Sequence, residues 1–148
     1  MKLNNKGFTL IEMLMVVAII AILASVFLVG LRGFRGSAYD ARRLSDLQKV
    51  QGYLEIYYNR NREYPNAASW VELSTALTGT SGAGISSIPN DPLSSQSYEY
   101  GVSADLQNYV LKTTLSDPNA KSLDDALPSG TYNGVSCDKS AGDYCVSP

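Results

Sequence analysis

The apolar positions along the chain fall into three regimes. Phe8 to Leu31 reads FTLIEMLMVVAIIAILASVFLVGL, an almost unbroken apolar run closed by Arg32. At ~1.5 Å per residue a helix over this run extends about 36 Å, enough to cross a bilayer. Beyond Ser37 the apolar stripe narrows. Leu44, Leu47, Val50 or Gln51, Leu54 and Tyr57 or Tyr58 recur at three- and four-residue steps, with Arg42, Arg43, Asp46, Lys49 and Glu55 on the remaining faces. The pattern predicts one long helix, apolar first and amphipathic second, stopped near Tyr64-Pro65 because the residue before proline is steered away from helical angles. The third regime alternates. Tyr98, Tyr100 and Val102, then Tyr109, Leu111, Thr113 and Leu115, occupy every second position and predict two strands joined through Ser103–Gln107. A third short strand is expected around Thr131–Val135.

Between the helix and the strands, Ser69 and Glu72 stand at capping-box spacing ahead of Trp70, Leu73 and Leu77, predicting a short second helix. Thr78 to Ser87 is rich in glycine and serine and reads as a loop, a variable surface or a subunit contact. It is no phosphate cradle, because neither a lysine nor a strand–helix context accompanies its glycines. The expected fold class is therefore α+β: a long N-terminal helix packed on a small antiparallel β-sheet head.

Charge and composition restrict the chemistry. The formal charge is −2 over 148 residues, with no histidine. Absence of histidine removes Ser-His and Cys-His nucleophile pairs and most transition-metal sites. No other paired catalytic motif stands out, so an enzyme is not expected. A mildly acidic chain offers no general electrostatic reason to hold nucleic acid. The two cysteines, Cys137 and Cys145, are too few for a zinc site without further ligands. They read as one small-loop disulfide in an oxidising compartment, the alternative being two free thiols in a reducing one.

Glu12 is the informative residue of the apolar run. A carboxylate at mid-membrane costs about 2.5–3.5 kcal/mol on insertion scales, and less near a helix start, where the dipole favours negative charge. No cationic side chain lies between Phe8 and Leu31. A cut before Phe8 would create an α-ammonium one turn from Glu12, able to pair with it in the same or a neighbouring chain. The alternative is a solvated glutamate at headgroup level on an ordinary anchor.

Lys6-Gly7-Phe8-Thr9-Leu10-Ile11-Glu12, led by a short basic peptide and followed by the apolar run, resembles the type IV prepilin signature. The resemblance implies a leader over residues 1–7, cleaved between Gly7 and Phe8 by the membrane-embedded prepilin peptidase, with N-methylation of the new terminal Phe8. It implies a transmembrane and polymerisation helix over 8–31, an amphipathic helix over 32–64 and a head over 65–148. Glu12 would set subunit register in a helical homopolymer, raised from the membrane by an inner-membrane platform protein and a cytoplasmic assembly ATPase. Flanking charge alone would place the N-terminus outside, since Arg32, Arg35, Arg42 and Arg43 outnumber Lys2 and Lys6. The resemblance instead keeps the leader in the cytoplasm and places the precursor in the inner membrane as a single-pass protein. The leader takes both of its lysines with it, reducing 12 basic residues to 10 against 14 acidic ones and leaving −4.

The chain departs from many pilins in having Ala21 and Val29 where the family carries a glycine and a proline. It places Gly30, Gly33 and Gly36 just past the run instead, each costing roughly 1 kcal/mol in a helix relative to alanine, so a softened segment is expected there. The arginine cluster at 32, 35, 42 and 43 reads either as a contact to headgroups or acidic neighbours, or as a solvated face. Asn59 to Pro65 and Ile88-Pro89-Asn90-Asp91-Pro92 before Tyr98-Glu99-Tyr100 are similar to the major pseudopilin of type II secretion, although Asn-Asp-Pro is also ordinary turn chemistry. That family carries calcium in its C-terminal loop. Asp117, Asn119, Asp124 and Asp125 offer oxygen ligands here, without EF-hand spacing and without a residue-by-residue match. A solvated acidic loop is the other reading. The disulfide departs from those pseudopilins and is shared with many pilins, although theirs usually encloses a larger region. The expected function is a major pilin of a surface filament, the alternatives being a periplasmic pseudopilin or a minor pilin acting as adhesin or DNA-uptake factor.

Overall fold

The structure, a computed structural model, describes residues 8–148, with side chains for 8–25 and 34–148. Helix α1 runs Leu10–Asn61, and α2 covers Trp70–Thr78. Strands β1 (Glu99–Val102) and β2 (Tyr109–Thr114) follow, then β3 (Gly130–Tyr132), β4 (Val135–Cys137) and β5 (Asp143–Val146). The chain divides into two compact units, one ending at Arg35 and the other running Gly36–Pro148.

In the second unit, Leu47, Val50 and Leu54 on α1 are fully buried against Leu73 and Leu77 of α2 and Tyr98, Tyr100, Tyr109 and Leu111 of the sheet. Each such buried leucine contributes about 1.5–3 kcal/mol through area removed from water. The Ser69 hydroxyl accepts the Glu72 N–H (3.2 Å), and the Glu72 carboxylate reaches back to the Ala68 N–H (2.7 Å), fixing where α2 begins. Trp70 donates its indole N–H to Pro89 O (3.1 Å) and meets Tyr98 edge-on at 5.2 Å.

Three expectations need correction. First, α1 ends before Tyr64-Pro65. Arg62 turns left-handed (φ 62°) with its N–H on Tyr58 O, so the stop lies at Arg62 and not at the proline. Second, the third strand of the main sheet is β5, and the order is β1-β2-β5, antiparallel throughout. The segment expected as one strand over Thr131–Val135 is the hairpin β3–β4. Asn133 and Gly134 turn it with φ values of 50° and 84°, both left-handed as a two-residue type I′ turn requires. Third, Arg43 and Asp46 do not lie on an outer face of α1; both are buried. The buried face continues N-terminally through charged residues that satisfy one another.

The first unit differs in kind. Its apolar side chains from Phe8 to Leu23 are exposed, from 46% for Val16 to 82% for Leu10. Among the described residues no helix is long and apolar enough to cross a membrane. The expected span over 8–31 includes side chains 26–31, which lie outside the described residues. The helix itself is unbroken through 28–37, so the softening expected from Gly30, Gly33 and Gly36 does not interrupt it in the subunit.

Candidate functional site

At the start of α1, Thr9 is the residue before the first helical position, and its carbonyl accepts the first helical N–H, from Met13 (3.3 Å). Glu12 Oε2 accepts the Thr9 backbone N–H (2.8 Å) and the Thr9 hydroxyl (2.7 Å), while Thr9 Oγ1 accepts the Glu12 N–H at 3.3 Å. This is a reciprocal capping box: the side chains at the cap and three residues later satisfy each other's free amides. It holds the carboxylate against the first turn, one residue from Phe8. Among the described residues Oε1 accepts no hydrogen bond. Half the carboxylate is thus anchored and half remains available, beside a Phe8 side chain that is 79% exposed. Gly7 lies outside the described residues.

The capping box was readable in the sequence. Thr9-Leu10-Ile11-Glu12 has the same spacing as Ser69 to Glu72, and Glu12 closes onto its own helix start.

Farther along α1 the charged groups serve the head. Arg43 is fully buried, with Nε on Asp91 Oδ2 (2.7 Å) and Nη2 on Asp91 Oδ1 (3.1 Å), a two-point pair. Its Nη1 reaches Asp40 (2.9 Å) and the Ser116 hydroxyl (3.1 Å), and Asp40 in turn accepts the Ser116 and Asp117 N–H groups at 2.8 and 3.3 Å. Asp91 also accepts the Leu93 N–H (2.8 Å), the local turn that Asn90-Asp91-Pro92 encodes. Burial alone would push the Asp91 carboxyl up, but Arg43 and the Leu93 amide hold it below the usual carboxylate range. The cluster therefore latches α1 to the loops before β1 and after β2. Of the basic group expected to meet headgroups, Arg43 is committed here. Arg42 is exposed and lies 3.7 Å from buried Asp46, and Arg35 is exposed; Arg32 lies outside the described side chains.

Cys137 and Cys145 are joined as a disulfide that ties β4 to β5. Asp117, Asn119, Asp124 and Asp125 are all exposed, Asp117 accepting the Asn119 N–H at 2.9 Å. Among the described residues no three His, Cys, Asp or Glu side chains are grouped to hold a metal ion.

Residues 2–28 match the model of the prokaryotic N-terminal methylation motif. The match spans the Gly7–Phe8 junction, the capping box and most of the apolar run, and it supports the likeness of this N-terminal segment to type IV pilins. A motif of this kind fits a structural subunit better than an enzyme. No curated protein and no solved structure matches the chain. The likeness of residues 57–115 to a secretion pseudopilin therefore gains nothing from them.

Proposed function

We propose that the chain is the precursor of a major pilin, the repeating subunit of a type IV pilus-like surface filament. The observation that carries this reading is the methylation motif over 2–28, set at the start of a helix whose apolar side chains have no cover within the subunit. An apolar surface of that extent marks an interaction site. Before assembly lipid covers it, with the leader lysines holding the N-terminus in the cytoplasm and the precursor anchored in the inner membrane. Peptidase cleavage after Gly7 frees Phe8, whose methylated ammonium pairs with the available oxygen of a Glu12. An assembly ATPase and a platform protein then move the helix from lipid into a bundle of its copies. Apolar contact supplies most of the cohesion, and the charge pair sets register, because desolvating an ion pair offsets much of its attraction.

The C-terminal disulfide favours a pilin over a secretion pseudopilin. The latter remains the rival reading on the strength of the Asn90-Asp91-Pro92 turn before an aromatic strand. Sheared cell-surface material separates the two: a major pilin dominates it and begins at methylated Phe8. Glu12→Ala is expected to be cleaved normally yet to cut surface filaments at least tenfold, and Gly7→Leu to leave uncut precursor in the membrane. Normal filaments from Glu12→Ala would overturn the register role.

A further inference from the structure

The two edges of the main sheet are treated differently. Ser103 donates to Asn108 O at 2.9 Å, and β1 and β2 pair Gly101 with Val110 and Val102 with Tyr109. Antiparallel ladders alternate, so Glu99 and Gly101 turn their amides toward β2 while Tyr100 and Val102 turn theirs away. The same alternation sends Asp143 and Cys145 outward at the β5 edge. There they are met: Leu127 donates to Cys145 O (2.8 Å) and Asp143 to Asp138 O (3.1 Å). Among the described residues nothing hydrogen-bonds the outward amides and carbonyls of Tyr100 and Val102.

That open edge is the floor of a slot of about 610 Å³. One wall is Asn66–Trp70, on the side where Tyr98 and Tyr100 enter the main core and Tyr100 donates to Pro65 O (2.9 Å). The other is the β3–β4 turn, on the opposite side of the sheet. A Cβ on Gly101 would lie 2.4 Å from Asn133 O and 2.9 Å from Val135 Cγ2, so only glycine lets that turn approach so closely.

We infer that this slot binds an extended, uncharged segment of another polypeptide, which adds to β1 as a further strand. The floor offers a donor and an acceptor at every second residue, the spacing of a peptide backbone. An unpaired strand edge is a template for such pairing unless it is blocked, and this one carries no proline or lysine. Glu99, the one acidic residue lining the slot, is already paired with Lys112 at 3.1 Å, which leaves amide and hydroxyl groups to face the guest. The inference is independent of the filament reading.

The test uses the full chain in detergent micelles and a phage-displayed library of random heptapeptides, the selected peptides then being synthesised. Amide hydrogen exchange at Tyr100 and Val102 is expected to slow at least tenfold on binding, while Gly101, already paired, changes little. Val102→Pro removes one outward N–H at a position that needs none for the ladder, and edge strands tolerate proline in that orientation. It should weaken the peptides at least tenfold, as should Asn66→Trp, which fills the slot from its wall. Selected peptides that leave these two amides unprotected, or that bind both variants unchanged, would overturn the inference. So would neutral oligosaccharides displacing them, or concentration-dependent protection of both amides without peptide, which would mean copies of the chain pairing with each other.

Discussion

Arg43 joins α1 to two loops of the head through Asp91 and Ser116. Its side chain is fully buried among the carboxylates of Asp40 and Asp91, the latter 1% exposed. Removing one member of a buried ionic cluster leaves the others charged and unpaired, at a cost of about 3–5 kcal/mol. Arg43→Met should therefore lower the unfolding free energy by about that much in a denaturant titration. The pH dependence has a definite sign. Asp91 is held below its ordinary pKa in the fold, so the stability it contributes is complete above about pH 4, the unfolded carboxylate's range. It is lost as pH falls further through the depressed folded value. Acid titration should show wild type losing stability below about pH 4, with a shallower loss in the double variant Arg43→Met/Asp91→Leu. None of this was legible from residue type, since the i, i+3, i+4 rule assigns apolar residues inward and reads an arginine as outward. What hid the cluster is distance: Arg43 and Asp91 are 48 positions apart.

Elements were legible where their signals are local. The α2 capping box and its Leu73 and Leu77 face, and the alternation of β1 and β2, are set by neighbours within a few residues. Strand β5 has four residues and pairs with β2, so nothing in its immediate surroundings announces it. Asn133-Gly134 is a readable hairpin turn lying inside the segment expected as one strand.

Two glycines allow the packing of elements to be tested. Gly52 lies inside α1, and a Cβ there would meet nothing within 4 Å, whereas a Cβ on Gly82 would sit 2.2 Å from Leu77 O. Gly52→Ala should raise the unfolding free energy by about 0.5–1 kcal/mol through helix propensity alone. Gly82→Ala should lower it, because the backbone at the end of α2 has to move. Equal effects in thermal melts would contradict both placements. The Cys137–Cys145 bridge closes a separation of 8 residues, for which chain entropy gives about 2.5 kcal/mol. The Cys137→Ser/Cys145→Ser protein should lose about that much stability, with hydrogen exchange rising first around β4 and β5.

At the scale of the whole molecule, the two units divide the work, and that division can be cut. Every buried residue of both hydrophobic clusters, the Arg43 latch and the disulfide fall within Gly36–Pro148. The first unit holds the matched motif and the exposed apolar side chains between Phe8 and Leu23, and among the described residues it contributes none of the head's core. A fragment beginning at Gly36 therefore keeps all that stabilises the head and loses all that is proposed to polymerise. It should fold without detergent, unfold cooperatively with the disulfide formed, and run as a monomer in size-exclusion chromatography. Its expected helix, Gly36 to Asn61, ends in solvent at Gly36, where the first turn lacks the Thr9–Glu12 box and frays. Asp40 is held by the Ser116 and Asp117 amides and by Arg43, so fraying should stop before it and leave the latch intact. A fragment that is unfolded, or that needs detergent to stay in solution, would show that the head's stability draws on residues before Gly36, against the division into two units. A folded monomer would place polymerisation in the segment that begins at the Gly7–Phe8 junction.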